Sequence, residues 1–452
     1  MGILAKSGFM RKQAALIGGD LILSIVVINM IRISGDQMSA GGPGSLAGSL
    51  MIISSLLFSS YFCEIYSGVA LKNDFSLLST FTALSLSLLF TLILKTVFGY
   101  SWLAFPAVVL FFILQSAWQK IYARIILAPI FLKKVIVVGT GKKALKVEKM
   151  IENTPEKFDL SGFVSTEADP VDVDPVKIVR KIDAIDEICK SLNIHAVILA
   201  LTERRGNLKV DRLISCKLMG VRIFDYPSFY ESITGKLPVE SLNPSWLVES
   251  SGFLITPFIK FMKRTLDILF SGSLLLLTLP LFPVIVFLVK YQSTGPLFYT
   301  QKRVGEGGKN FTIFKFRSMK VGAEQQTGVT WAAEQDPRIS KFGAFLRKTK
   351  IDELPQLINV LTGKMSFIGP RPERPEFVEK ICMATPYYME RHGVKPGITG
   401  WAQVMYPYGA SIGDSVKKLR YDLYYINNLS LFLELLIVFE TIKVILFRKG
   451  SR

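Results

Sequence analysis

Four stretches of this chain, residues 14–33, 45–71, 75–94 and 102–118, are almost wholly apolar. Each is near the roughly 20 residues that a helix needs to cross the hydrocarbon core of a bilayer. In lipid every backbone N–H and C=O must find its partner inside the segment, so the chain is predicted to open with four transmembrane helices. The first stretch is too long, and too poor in a small-residue cleavage site, for a removed signal peptide. Lys6, Arg11 and Lys12 precede the first helix, and Lys120, Arg124, Lys133 and Lys134 follow the fourth. An even number of crossings with basic residues outside both ends places both ends on the cytoplasmic side. Asp20 and Glu64 fall within the spans, where acids are functional candidates by default. With no basic partner spaced to form a relay, they are read as helix-to-helix or interfacial contacts.

The chain has 452 residues, 50% of them apolar, and a net charge of +18. Its mean hydropathy of +0.37 suits a membrane protein with soluble parts. Such a basic balance points to nucleic acid, an anionic membrane surface or phosphorylated substrates. The apolar stretches favour the last two, and no RNA-binding signature supports the first, so no nucleic acid is expected as partner. Cys63, Cys189, Cys216 and Cys382 lack the spacing of a zinc site or a disulfide framework, which fits reduced surroundings. The only histidines, His195 and His392, leave little room for a histidine triad or metal cluster and are read as structural or surface residues.

From Lys133 the pattern changes to soluble α/β. A strand over 135–138 runs into the turn Gly139-Thr-Gly-Lys-Lys-Ala144 and a helix, which matches G-x-G-x-x-A in its strand-turn-helix context. Further strands are predicted over 160–165, 196–200 and 221–224, with a helix over 182–191 and the acid Glu167 after the second strand. Two readings stand: a nucleotide site, or a Rossmann-like domain with a structural role. About 115 residues is short for a full dehydrogenase, and no Tyr-x-x-x-Lys pair follows.

Residues 266–289 are long and apolar enough to span, yet basic residues flank both sides: Lys260, Lys263 and Arg264 before, Lys290, Lys302 and Arg303 after. Pro280 and Pro283 fall in the middle, where each removes a helix hydrogen bond. A helix that enters the cytoplasmic leaflet, breaks and returns satisfies both facts; a plain crossing is the alternative. Two short strands around the turn 305–309 are predicted as a hairpin, with Lys315 and Arg317 on one alternate face. The C-terminal stretch 429–447 carries Glu434, Glu440 and Lys443, which suits an interfacial amphipathic helix better than a crossing.

The chemistry concentrates in residues 347–375, RKTKIDELPQLINVLTGKMSFIGPRPERP. Pro355 follows the pair Asp352-Glu353 and opens a run with Leu357, Ile358 and Leu361, which places the acids at a helix start, Asp352 near the N-cap. Adjacent carboxylates repel unless a cation lies between them, and Mg²⁺ with a substrate phosphate fits that need. Asp352 then serves as nucleophile and Glu353 as metal ligand. The rival reading makes the pair an ordinary helix opening.

The region from Lys263 onward resembles the bacterial sugar transferase family, the polyprenyl-phosphate hexose-1-phosphate transferases or monotopic phosphoglycosyl transferases. The matching pieces, in order, are KRTLDILFS, GPLFYTQKRVGEGGKNFTIFKFRSM, LRKTKIDELPQLINVLTGKMSFIGPRPERPEF, KPGITGWAQV and RYDLYYINN. Four helices and a Rossmann-like domain ahead of them look like the family's large subgroup. The resemblance implies a multidomain membrane protein with three parts. These are a four-helix transmembrane bundle (1–132), a Rossmann-like α/β domain (133–250) and a mainly α catalytic domain (251–452). The last would carry a β-hairpin and a re-entrant membrane helix over about 258–290. It also implies transfer of a hexose-1-phosphate, glucose or galactose, from a UDP-sugar to undecaprenyl phosphate with release of UMP. Such a step initiates exopolysaccharide, capsule or O-antigen synthesis at the bacterial inner membrane.

By the same resemblance Asp352 is the nucleophile and Glu353 its Mg²⁺-linked partner. Arg347, Lys315, Arg317 and Arg371 are then phosphate-binding residues. The expected partners are the UDP-sugar, undecaprenyl phosphate, the lipid bilayer and a second copy of the chain in a homo-oligomer, a dimer. Three departures from the family pattern are Lys350 in place of a small hydroxyl residue, Met405-Tyr406 in place of Asn-Gly, and Arg420 in place of an acid. Alternatives are a membrane-bound nucleotide-sugar dehydratase, which needs a longer cofactor domain and a Tyr-Lys pair, and a non-catalytic scaffold of polysaccharide assembly.

Overall fold

The computed structural model describes residues 16–30, 46–63, 65–66, 75–98, 102, 104–126, 132–154, 158–166, 169–201, 209–250, 252–292, 295–319, 338–406, 409 and 411–447. Among the positions singled out above, Lys6, Arg11, Lys12, Glu64 and Glu167 lie outside the described residues. The chain forms two compact units that meet in sequence between Tyr226 and Pro227.

In the first unit, α1 (Leu16–Met30), α2 (Leu46–Phe62), α3 (Phe75–Phe98) and α4 (Ala104–Ile126) follow the four apolar stretches. One apolar cluster draws on all four, through Val27 and Ile28, Ile52 and Leu56, Ala83, and Val108, Phe111 and Phe112. Windows in α3 and α4 are long and apolar enough to cross a membrane, whereas α1 and the apolar part of α2 are shorter. Asp20 is buried and takes a helix-to-helix contact: the Gln115 amide donates to its carboxylate and also, at 2.9 Å, to the Ser60 hydroxyl.

The remainder of this unit is an α/β layer. Strands β1 (Lys133–Val138), β2 (Phe158–Ser165), β3 (Ile178–Lys181), β4 (Ala196–Leu199) and β5 (Arg222–Asp225) form one parallel sheet in the order β3-β2-β1-β4-β5. Such a sheet must be covered on both faces, which is why β1 and β4 read as unbroken apolar runs rather than alternating ones. Helices α5 (Lys142–Glu152), α6 (Ile185–Ser191) and α7 (Val210–Leu218) supply cover; Ile185, Ile188, Leu213 and Cys216 bury against Ile136, Val138 and Val197.

The second unit begins with α8 (Tyr226–Thr234) and α9 (Pro244–Glu249), ahead of the domain boundary expected at 250. The reason is packing: Leu237, Val239, Leu242 and Trp246 are buried with Leu419, Leu423 and Tyr425 in one core. Arg420, one of the three departures, pairs with Glu240, and the Trp401 indole donates to the Gly235 carbonyl at 2.8 Å. Residues 227–250 therefore belong to the C-terminal unit by their contacts.

The long apolar segment is two helices, α10 (Pro257–Thr278) and α11 (Phe282–Gln292), separated by a 3₁₀ turn at Leu279–Leu281. Pro280 and Pro283 sit in the first turns after the break, where a missing N–H leaves no bond unmade. Both arms pack on the same body. In α10, Arg264 donates to the carbonyls of Val360 and Leu361 at 2.6 and 2.7 Å, and the Asp267 carboxylate accepts from the Ser366 hydroxyl and the Phe367 N–H, both at 2.8 Å. In α11, Ile285 and Val289 are buried with Phe316 and Leu346. A straight helix of 35 residues would be about 52 Å long. The break divides that length into two arms and is left uncovered, with Leu276, Leu277, Leu279, Leu281 and Val284 exposed.

Strands β6 (Phe298–Val304) and β7 (Asn310–Phe316) form the antiparallel hairpin, turning through Gly307 and Gly308 at positive φ. A parallel pair, β8 (Ser366–Ile368) with β9 (Gly397–Thr399), joins the GPRP segment to the KPGITGW segment. Their glycines are set by close approach: a Cβ on Gly397 would lie 2.1 Å from the Gly369 nitrogen, and one on Gly400 2.1 Å from the Gly369 oxygen. The final helix, Leu431–Phe447, buries Leu433 and Ile437 and exposes Phe432, Leu435, Phe439 and Ile442 at helical spacing. Its Glu434 is not on a solvated face. It is buried in an ion pair with Lys263 at 2.8 Å, and Lys263 also donates to the Ile368 carbonyl and the Tyr425 hydroxyl.

Candidate active site

Asp352 and Glu353 lie in a one-turn 3₁₀ helix, Ile351–Glu353, ahead of the helix Gln356–Leu361. The N-cap of that helix is Pro355, which has no side-chain cap bond, so the capping role expected for Asp352 is absent. The turn is forced by Lys350, whose backbone is left-handed with φ 60° and ψ 12°. For a residue with a Cβ this conformation costs about 1–2 kcal/mol. It bends the chain sharply enough to turn both acids inward, where both are buried.

The two carboxylates live in different surroundings. Glu353 is held by cations from two other segments: Lys315 Nζ on β7 donates to its Oε1 at 2.8 Å, and Arg371 grips both oxygens at 2.6 and 3.3 Å. Burial pushes the Glu353 carboxyl up, but Arg371 and Lys315 outweigh it and hold it well below the usual carboxylate range. Asp352 has the opposite balance. Burial, and then the Glu353 charge, push its carboxyl up, with Lys315, Arg347 and Lys350 opposing. Its Oδ1 is buried and has no hydrogen-bond partner among the described residues. A buried acceptor costs about 1–3 kcal/mol unless a protein group, water or ligand supplies a donor.

The six residues predicted for the site therefore separate. Lys315, Arg371 and Glu353 form one ion cluster with Asp352 beside it. Arg347, on the helix Lys341–Lys348, donates through Nε to the Ser318 hydroxyl at 2.9 Å and acts on Asp352 through its charge. Arg317 lies one residue beyond β7 and places a donor on the Val289 carbonyl, at 3.5 Å, tying the site to α11. The shared face predicted for Lys315 and Arg317 is thus divided between Glu353 and the helix arm.

Several residues that hold the site were not singled out by sequence reasoning. Arg391 is buried against Asp422, with bonds of 2.8 and 3.0 Å, and its Nη2 also donates to the Arg371 carbonyl at 2.9 Å. Arg303 donates to the Pro372 carbonyl at 3.0 Å, so the GPRP loop is gripped at two consecutive carbonyls, those of Arg371 and Pro372. Asn359 bonds the β7 backbone on both faces of its amide, to Phe314 N–H and Thr312 C=O, and fixes the strand that carries Lys315. The signal for Arg391 and Asp422 was the presence of charged residues in the segments RHG and RYDLYY, where the spacing does not say which charge meets which.

For a divalent cation, no group of three or more Asp, Glu, His or Cys side chains gathers among the described residues. Here the protein offers the Asp352 carboxylate and Glu353 Oε2, whose bond to Arg371 is the longer one. This fits Mg²⁺, which is commonly held by one or two carboxylates with substrate phosphate and water completing its shell.

The family model described as bacterial sugar transferase matches residues 258–448, the stretch that contains the acid pair, its cations and the Arg391–Asp422 support. A UDP-N-acetylgalactosamine-undecaprenyl-phosphate N-acetylgalactosaminephosphotransferase from Aeromonas hydrophila is 42% identical over 240 residues, covering 53% of this chain and 56% of that protein. A UDP-glucose:undecaprenyl-phosphate glucose-1-phosphate transferase from Xanthomonas campestris is 32% identical over 334 residues, 71% of this chain and 68% of its own length. An undecaprenyl-phosphate galactose phosphotransferase from Salmonella typhimurium is 29% identical over 346 residues, 71% of this chain and 70% of its own. By the extent of these matches, the chain belongs to the bacterial sugar transferase family.

Proposed function

We propose that this protein transfers a hexose-1-phosphate from a UDP-sugar to undecaprenyl phosphate and releases UMP, the first step in building an exopolysaccharide, capsule or O-antigen. The observation that carries this reading is the divided acid pair: Glu353 is neutralised by Lys315 and Arg371, while the neighbouring Asp352 keeps a buried oxygen without a partner among the described residues. In the first half-reaction an Asp352 carboxylate oxygen attacks the β-phosphorus of the donor. The bond from that phosphorus to the UMP oxygen breaks, and UMP leaves. In the second, an oxygen of undecaprenyl phosphate attacks the same phosphorus and frees the Asp352 carboxylate. Desolvation makes Asp352 a more basic, and so better, nucleophile once ionised. Lys315, Arg371 and Arg347 would share their charge with the diphosphate as it enters, an arrangement that costs no reorganisation in the transition state. Mg²⁺, held by Glu353 together with the Asp352 carboxylate, would neutralise charge on the diphosphate.

The membrane setting belongs to the same proposal. The four N-terminal helices would span the inner membrane as a bundle. The α10–α11 arms would enter the cytoplasmic leaflet and return, their apolar tip in lipid, while the exposed stripe of the last helix lies on the same face. Basic flanks at Lys260 and Lys290 and the hairpin contacts support this reading. A homodimer is part of the proposal too and is checked by light scattering of the detergent-solubilised protein.

Glucose or galactose is the proposed sugar, by likeness to the relatives aligned over most of their length. The second reading is N-acetylgalactosamine, favoured by the higher identity of the Aeromonas protein. A panel of UDP-sugars with the purified protein separates them by UMP release. Without lipid acceptor, the wild type should exchange labelled UMP into UDP-sugar, and Asp352→Asn should lose both exchange and transfer while keeping its unfolding temperature. Transfer without exchange, with kinetics that require both substrates bound together, would remove the covalent step and leave Asp352 a base or a metal ligand.

A further inference from the structure

The turn Gly139–Gly141 carries a dinucleotide-binding pattern that the transfer reaction does not use. In such domains the N–H groups of this turn and of the following helix face the ligand's diphosphate. Here two of those donors, in the turn itself, already have an acceptor. One oxygen of Asp169, Oδ2, accepts from the Thr140 N–H at 3.0 Å and from the Gly141 N–H at 3.3 Å. The residues after Asp169 complete the seal: the Thr140 hydroxyl donates to the Pro170 carbonyl at 3.0 Å, and the Thr140 carbonyl accepts from the N–H groups of Asp172 and Val173 at 2.8 and 3.2 Å. Gly139 has φ +117°, and a Cβ there would lie 2.9 Å from both the Ala200 oxygen and Asp169 Oδ2. Gly139, Thr140 and Gly141 are all buried.

The covering segment is fixed at its far end as well. Lys177 pairs with Glu148 on α5 at 2.6 Å, and Asp174 caps the 3₁₀ turn Pro175–Lys177. A doubly wound unit ordinarily places a helix between its second and third strands. In this chain the described part of the connection from β2 to β3 has only that 3₁₀ turn, and its Asp169 lies against the turn that leads into α5.

We propose that the glycine turn of the central domain is an oxyanion site filled in cis by the carboxylate of Asp169, so that the domain takes no dinucleotide and its fold is closed by that contact. Reaching the turn, a diphosphate would have to displace a charge-assisted acceptor and three further hydrogen bonds at once. The ligand class of the site is an oxyanion; in the native chain that oxyanion is a side chain.

Hydrogen exchange on the full-length protein in detergent tests this at the peptide spanning 139–147. In wild type, neither 10 mM-scale inorganic phosphate nor NADH should change exchange there, against chloride at matched ionic strength. In Asp169→Gly the amides should exchange roughly ten-fold faster or more, as for loss of a hydrogen bond to a charged acceptor. Phosphate should then slow them again by occupying the vacated cradle, an effect absent in wild type. Asp169→Asn, which keeps an acceptor oxygen but loses the charge, should fall between the two and carries the test if the glycine variant does not fold. Protection of the wild-type peptide by NADH or phosphate would overturn the proposal. So would wild-type exchange rates in both variants, or failure of phosphate to slow the faster one. Because the readout is local to the central domain, it is independent of whether Asp352 forms a covalent intermediate.

Discussion

At the level of single residues, Lys350 joins backbone geometry to electrostatics. Its left-handed backbone turns the acid pair inward, and its charge opposes the rise of the Asp352 carboxyl. Glycine adopts this conformation freely, so Lys350→Gly should fold without loss while removing the charge. A lost positive neighbour raises a carboxyl's pKa, and the proposed nucleophile acts ionised. The acid limb of the kcat/KM profile should therefore move to higher pH in the variant; an unmoved limb would mean that Asp352 does not set it. His392 offers a second test of sign. It is buried, and burial followed by the Arg391 charge pushes it down from 6.5 to about 4, against a smaller opposing effect of the Met389 backbone. Between those values the unfolded chain takes up a proton that the folded one does not, so stability falls as pH drops from about 6.5 toward 4. The loss is on the order of 3 kcal/mol over that window. His392→Phe, which keeps the edge-on ring contact with Tyr388, should flatten that part of the unfolding-temperature profile. An equal slope in both proteins would assign the acid lability to other groups.

At the level of elements, both arms of the broken helix are tied to the site. Lys263, in α10, reaches the carbonyl of Ile368 just ahead of the GPRP loop, and Arg317 ties β7 to α11. A helix that crossed the bilayer would put Lys260 and Lys290 on opposite sides; one that doubles back keeps both on the cytoplasmic side. Cysteines introduced at these two exposed positions should both react with an impermeant thiol reagent applied from the cytoplasmic face in inverted vesicles. Labelling of either from the periplasmic face alone would sink the re-entrant arrangement.

For the whole molecule, the division between Tyr226 and Pro227 decides which fragment can work alone. A fragment starting at Pro227 keeps Leu237, Val239, Leu242 and Trp246 in the core and should retain transfer in detergent. One starting at Ser251 leaves the faces of Leu419 and Leu423 uncovered and loses the partners of Arg420 and Trp401. Removing several large buried side chains costs several kcal/mol, since single Leu→Ala changes already cost about 2–5 kcal/mol. The shorter fragment should aggregate or unfold at a markedly lower temperature. Inactivity of a folded, membrane-bound fragment from Pro227 would give the first unit a part in catalysis.

Much of this protein was legible in the sequence because it is written in local pattern. Apolar lengths near a bilayer's thickness marked the N-terminal helices, unbroken apolar runs with glycine turns marked the parallel sheet, and ordered motifs around Asp352 and Glu353 marked the family. Periodicity reports which face of an element is buried, however, and not what lies opposite. That Lys315 and Arg371 both go to Glu353, leaving an Asp352 oxygen without a partner among the described residues, depends on segments that only the fold brings together. The same holds for Arg391 behind Arg371, for Glu434 as the partner of Lys263 rather than a surface charge, and for residues 227–250 in the catalytic core. The glycine turn is the sharpest case. Its sequence leaves a nucleotide site and a structural role both open, and only the tertiary structure shows Asp169 accepting from its N–H groups, brought there by the connection from β2 to β3.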